Sequence, residues 1–137
     1  MAIVEYGPPL SLAEAKRVLE AAEAEAIANQ WAMVIAVLDS TGHLLALHRM
    51  DHTQYASIVV AQAKAQTALN FKRPTKVFED GLAGGALRWL GMPDLCPLEG
   101  GIPLIRNGKI AGAIGVSGAQ SSQDAQVAAA GGMVLEA

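Results

Sequence analysis

The sequence predicts an α+β domain, an antiparallel sheet with helices packed against it. Two observations carry that expectation. Two pairs of apolar segments are each joined by a very short turn, Ser40-Thr41-Gly42 in one and Asn107-Gly108 in the other. So short a turn lays the second strand antiparallel beside the first. Longer segments with small apolar residues at helical spacing lie before, between and after those pairs, and helices set between hairpins belong on the faces of an antiparallel sheet.

Ser11-Leu12-Ala13-Glu14 reads as a capping box, in which the serine hydroxyl and the glutamate carboxylate satisfy free amides at a helix start. Leu12, Ala15, Leu19, Ala22 and Ala26 then share one helical face, Glu14, Arg17, Glu20 and Glu23 face water, and the helix stops near Asn29. Met33 to Asp39 is apolar without alternation, as a strand covered on both faces requires. His43 to Arg49 is its returning partner. Met50-Asp51-His52-Thr53 is a loop, with Thr53 placed to cap a second long helix. Ile58, Ala61, Ala65 and Ala68 form that helix's inner face, and it ends near Phe71.

Arg73-Pro74-Thr75 breaks the helix, and Thr75 can cap a short one from Lys76 to about Leu82. Between Gly84 and Pro97, Gly91 and Pro93 argue for loop, with one irregular strand expected there. Ile102 to Arg106 and Lys109 to Ser117 flank Asn107-Gly108, and Pro103 places the first of these strands at a sheet edge. A last helix runs from Ser121 or Ser122 to the C-terminus. With no repeat, linker or low-complexity tract, residues 1–137 read as a single domain.

Composition narrows the function. Apolar residues make up 52% of the chain but aromatics only 4%, so Ala, Val, Ile and Leu must build a closely packed core. A net charge of -3 without a basic stripe argues against nucleic acid as a partner. Met33 to Leu38, the longest clear apolar run, is too short to span a bilayer. No leader pattern occurs at Met1-Ala2-Ile3-Val4-Glu5, so a cytoplasmic location is expected. One cysteine excludes an internal disulfide and a Cys-pair zinc site.

Glycine marks the candidate pocket. On the strand from Lys109 to Ser117, Ile110, Gly112, Ile114 and Val116 point one way, and Ala111, Ala113, Gly115 and Ser117 the other. The second face has almost no bulk, so a helix packs very close or a ligand fills the space; mid-strand, the helix is favoured. At the strand end, Ser117-Gly118 frees a hydroxyl and amides beside a helix start. Gly100 and Gly101 either turn their amides toward an anion or form a tight turn before an edge strand. Glu99 beside them is a candidate general base or metal ligand, or an inert surface carboxylate.

Arg49-Met50-Asp51-His52 is a dense polar set for so apolar a chain. Arg49 suits a carboxylate through a two-pronged contact, Asp51 borders it, and His52 can move protons near neutral pH or bind a metal. The plainer alternative has Asp51 capping the next helix and pairing with Arg49, with His52 a solvated loop residue. His48 and His52 are four apart but straddle a strand–loop junction, so helical zinc geometry does not apply. Lys64 borders the apolar stripe of the second helix, its charge reaching water or a ligand anion. Cys96, between prolines and without an adjacent base, reads as a buried small residue.

Taken together, these segments resemble the GlcG/HbpS family, which includes the C-terminal domain of PduO-type proteins. The matching elements are Ala36-Val37-Leu38-Asp39 with Gly42; Arg49-Met50-Asp51; Lys64-Ala65 with Thr67-Ala68; Pro74-Thr75; Gly100-Gly101 with Pro103; and Gly112 to Gly118 with Asp124. The resemblance covers nearly the whole chain. It implies a profilin-like five-stranded antiparallel sheet between helices, assembly into homo-oligomers, and haem binding in some members. Others are similar domains of unsettled function found beside catabolic genes. The family usually has glycine after the Arg-Met-Asp run, where this chain has His52. For a haem iron, the candidate ligands are His48, His52, Met50 and Tyr55.

The first functional expectation is therefore a small-ligand-binding domain for haem or a related tetrapyrrole. The alternative is a small cofactor-independent enzyme acting on an organic acid or reactive carbonyl, such as an aromatic-degradation intermediate. In it Arg49 and the Gly100-Gly101 amides hold a carboxylate, His52 or Glu99 moves a proton, and Lys64 stabilises developing negative charge. A third expectation is a subunit that works through assembly, its Ala-rich helical faces packing against a partner.

Overall fold

A core this poor in aromatics excludes water only if its helices lie close on the sheet, and the computed structural model shows that arrangement. The structure describes residues 3–135. What the sequence suggests for Met1-Ala2, and for the last helix beyond Leu135, lies outside those residues. Helix α1 (Leu12–Ala28) precedes a hairpin of β1 (Val34–Asp39) and β2 (Leu44–Arg49). Helices α2 (Ala56–Phe71) and α3 (Lys76–Ala83) lead through a 3-10 turn at Leu87–Gly91 to a second hairpin, β3 (Gly101–Arg106) and β4 (Lys109–Ser117). Helix α4 (Ser121–Gly132) ends in a 3-10 turn, Met133–Leu135.

The sheet order is β2-β1-β4-β3, and every pair is antiparallel. The α+β class is as expected, but the described residues form four strands rather than five. The irregular strand sought between Gly84 and Pro97 is a 3-10 turn instead. Its glycines and prolines leave no extended run that could donate a full ladder. Nearer the N-terminus, Tyr6 makes a single parallel bridge to Ile110, short of a strand.

Helices α1 and α4 cover one face of the sheet. Ala15, Val18, Leu19, Ala22 and Ala26 of α1 pack there with Met33 and with Ile35 and Val37 of β1. Leu12, expected on that stripe, is 49% exposed: it is the first residue of the helix, and Val18 takes the buried position. The capping box forms, with Ser11 Oγ accepting from the Glu14 amide at 3.1 Å and Glu14 Oε1 from the Ser11 amide at 3.0 Å.

Helix α2 covers the other face through Ala61, Ala65 and Ala68. It lies so close that a Cβ at Gly115 would run into the Ala61 carbonyl. The bare mid-strand face is therefore helix packing, not ligand space. The strict two-face reading of β4 needs correction. Leu104 opposes Gly112 while Ile105 opposes Ile110, leaving Ala111 as a bulge. Ala111 thus joins Ile114 and Val116 toward α1 and α4, and Ile110 joins Ala113 toward α2.

Two expected caps are also differently employed. The Thr53 hydroxyl donates to the Met50 carbonyl at 2.7 Å, and α2 starts after Tyr55 without a side-chain cap. Thr75 does precede α3, but its hydroxyl accepts from the Gly101 amide at 2.9 Å. Among the described residues no helix is long and apolar enough to cross a membrane.

Candidate functional site

At the end of the sheet where β1 begins, Val34 pairs with Arg49 on one side and with Ser117 on the other. The residues singled out in the sequence cluster around this end, but in two separate surroundings. One is sealed and the other open.

The sealed one centres on Lys64, 2% exposed. Its ammonium donates to the Val116 carbonyl at 2.9 Å and to Asp124 Oδ2 at 2.9 Å. Asp124 Oδ1 also accepts from the Ala119 amide at 3.0 Å. Burial nevertheless pushes the Asp124 carboxyl above its ordinary value, outweighing the Lys64 ammonium and the backbone donors that favour its charge. Gly100, at φ +133°, makes room: a Cβ there would sit 2.8 Å from Lys64 Nζ. A Cβ at Gly101 would strike the Lys64 carbonyl. Ser117 is buried, its hydroxyl 3.1 Å from that of Ser57. Lys64, Gly100, Gly101 and Ser117 therefore pack α2, β3, β4 and α4 together, and none of them is placed beside Arg49.

Glu99 is half-buried just before β3, where its amide donates to Glu79 Oε1 at 3.1 Å. β3 and β2 are opposite edges of the sheet. Three strand spacings of about 4.8 Å, about 14 Å in all, separate these edges. The geometry does not assemble Glu99, the Gly100-Gly101 amides and Lys64 with His52 into one acid–base site. Cys96 is partly buried, and burial raises its thiol above the ordinary range.

The open surroundings lie along β2. Past its edge, the loop from Arg49 to Tyr55 frames a recess of about 530 Å³. The Arg49 guanidinium lies 5.9 Å from the Tyr55 ring centroid, within cation–π range. His52 is exposed and left-handed, at φ +70°. That accounts for the glycine expected after Arg-Met-Asp, because this backbone suits a residue without a Cβ, and histidine is among the few others that tolerate it.

On the α1 side is a groove of about 680 Å³ between the end of that helix and β2. Ile27, Trp31 and Met50 give it apolar surface, while His48, Arg49 and Asp51 line it with polar groups. His48 projects toward α1, where its Nδ1 lies 3.1 Å from Glu23 Oε1. An ionised carboxylate can only accept, so Nδ1 carries a proton, and in the neutral imidazole Nε2 then holds the lone pair. The two side chains are 50% and 29% exposed. Among the described residues no three His, Cys, Asp or Glu side chains converge as a metal cage, so a bare-ion site is not built here.

Sequence reading missed Glu23 and treated Asp124 only as part of a motif. No local signal pairs Glu23 with a histidine 25 residues away. Their meeting depends on how α1 lies across the hairpin.

Comparison with known proteins fits this geometry into a family. A family model described as haem degrading protein HbpS-like matches residues 10–132. The chain belongs to this HbpS-like family. Protein GlcG of Escherichia coli K12 is 44% identical over 108 residues, 79% of this chain and 81% of that protein. Among solved structures, Klebsiella pneumoniae protein ORFY superposes with TM-score 0.87 at 28% identity, covering 100% of this chain and 97% of that one. The PduOC:haem complex superposes with TM-score 0.80 at 27% identity, covering 91% and 94%. The family read from the scattered motifs is the one that matches.

Proposed function

We propose that this HbpS-like protein binds haem or a related tetrapyrrole in the groove between α1 and β2. One observation carries the reading: a histidine lining an apolar-sided groove has its Nδ1 committed to a carboxylate and its Nε2 left able to ligate. The family description and the haem complex of a structural relative support it. The residues present fit the group. Trp31, Met50 and Ile27 offer apolar surface to a flat macrocycle. His48 offers its Nε2 to iron, and Arg49 a guanidinium to a propionate carboxylate. Bound haem would supply a redox-active iron; the chain's part is to hold the ring, fix one imidazole and neutralise acid groups.

Adding hemin to the protein tests this directly. The expected outcome is a defined Soret band distinct from that of free hemin, altered by His48→Ala and unaltered by His52→Ala. A spectrum like free hemin, or one indifferent to His48→Ala, overturns the proposal. The enzyme reading keeps Arg49 and His52 around one recess but loses Glu99, Lys64 and the Gly100-Gly101 amides from it.

A further inference from the structure

The fold has little need of the Glu23–His48 pair. Both side chains are partly solvated, and exposed ion pairs of this kind contribute at most about 1 kcal/mol. The other described acidic pairings of α1 serve packing: Glu14 binds Arg106 at 2.6 Å, and Glu25 accepts from Asn29 at 3.2 Å and from Gln126 at 2.7 Å. The described partner of Glu23 is His48, in the wall of the groove.

We propose that Glu23 is a positioning residue, acting through His48 to set its tautomer, ring orientation and donor strength. This rests on the tetrapyrrole reading and deepens it. Intrinsically, a neutral imidazole prefers its proton on Nε2, the atom a metal would need. A carboxylate 3.1 Å from Nδ1 reverses that preference and holds the ring at one angle. Its negative charge also makes Nε2 a stronger donor, which favours the oxidised iron and lowers the reduction potential of a bound haem.

Two measurements separate this role from the reading beneath it. The first needs no haem: nitrogen NMR of the free protein near neutral pH should show His48 with its proton on Nδ1. In Glu23→Ala the proton should move largely to Nε2. A wild-type ring already protonated on Nε2, or unmoved by Glu23→Ala, overturns the proposal. The second uses hemin with Glu23→Gln, which keeps an acceptor and removes the charge. Hemin should bind about 10- to 100-fold more weakly, at a higher reduction potential, with His48 still the ligand by its spectrum. A merely structural role would leave the potential where it was. If affinity and potential match the wild type while His48→Ala abolishes the band, Glu23 has no such role and the haem reading stands. If wild-type protein leaves hemin unchanged, the haem reading falls and this proposal with it.

Discussion

Lys64 and Asp124 join α2 to α4 around the end of β4, 2.9 Å apart and only 2% and 3% exposed. Glu23 and His48 join α1 to β2 at 3.1 Å, 29% and 50% exposed. Both are contacts between a basic side chain and a carboxylate on elements distant in sequence. Their surroundings give them different duties. Around Lys64 the protein's own carbonyls and a bare glycine fill the space that a ligand would need. Around His48 an apolar-sided groove remains open. Chemistry legible in residue types is thus sorted by burial: the sealed pair specifies packing, and the open one is free for a ligand.

The largest test of that contrast is to break the sealed pair. Asp124→Ala leaves a buried ammonium without its counter-charge and should lower unfolding free energy by about 3–5 kcal/mol in urea titration. Lys64→Met combined with Asp124→Leu should recover most of the loss, since an apolar replacement of similar volume leaves no charge stranded. A loss below about 1 kcal/mol for Asp124→Ala would mean that water reaches the pair. The raised Asp124 carboxyl agrees with this picture, because desolvation there outweighs the attraction of Lys64.

A smaller effect of the opposite sign is expected in the open region. His52 holds a left-handed backbone at φ +70°. Relieving that strain with His52→Gly is worth about 1–2 kcal/mol, offset by about 0.4–1 kcal/mol for the freer unfolded chain. The variant should gain up to about 1.6 kcal/mol and bind hemin as the wild type does. A loss of stability would give His52 a contact that the described structure lacks, and a loss of hemin binding would move the site from the groove to the loop.

What could be read beforehand follows the same division. Periodic and local signals were legible: the Ser11–Glu14 box, the Asn107-Gly108 turn and the alanine face of α2 are each set by neighbours in sequence. The five-strand expectation failed where Gly84 to Pro97 carries breakers and no periodicity. The bulge at Ala111 depends on register against β3, which no single strand encodes. Among the site residues, sequence could nominate Arg49, His48 and Lys64 by type. It could not see that Lys64 meets Asp124 60 residues on, or that His48 meets Glu23. Those are products of helix placement on the sheet.

Arg106 and Glu14 are intermediate in burial, at 23% and 25%. The Ser11 amide, then the Arg106 guanidinium, hold the Glu14 carboxyl below its ordinary value near 4.5. A carboxyl lowered by folding contributes stability that is present above that ordinary value and lost as pH falls through its folded one. Unfolding measured from neutral pH downward should therefore show an acid-side loss that Glu14→Gln reduces. Being part-solvated, the pair should contribute no more than about 1 kcal/mol at neutral pH. An unchanged acid slope in Glu14→Gln would assign the loss to other carboxylates.

The smallest stability effect falls at the pair given the functional role. Glu23→Gln should change unfolding free energy by less than about 0.5 kcal/mol, as surface substitutions do, while shifting hemin affinity and potential. Asp124→Ala should do the reverse where it can be measured below its unfolding midpoint, losing stability but leaving the hemin spectrum intact, because Asp124 belongs to the sealed surroundings on the far side of β1 from β2. Crossing the two variants against the two readouts tests the separation itself. If Glu23→Gln destabilised the chain as much as Asp124→Ala, its pairing with His48 would be part of the packing, and half-exposure would no longer mark which of two similar contacts is available to a ligand.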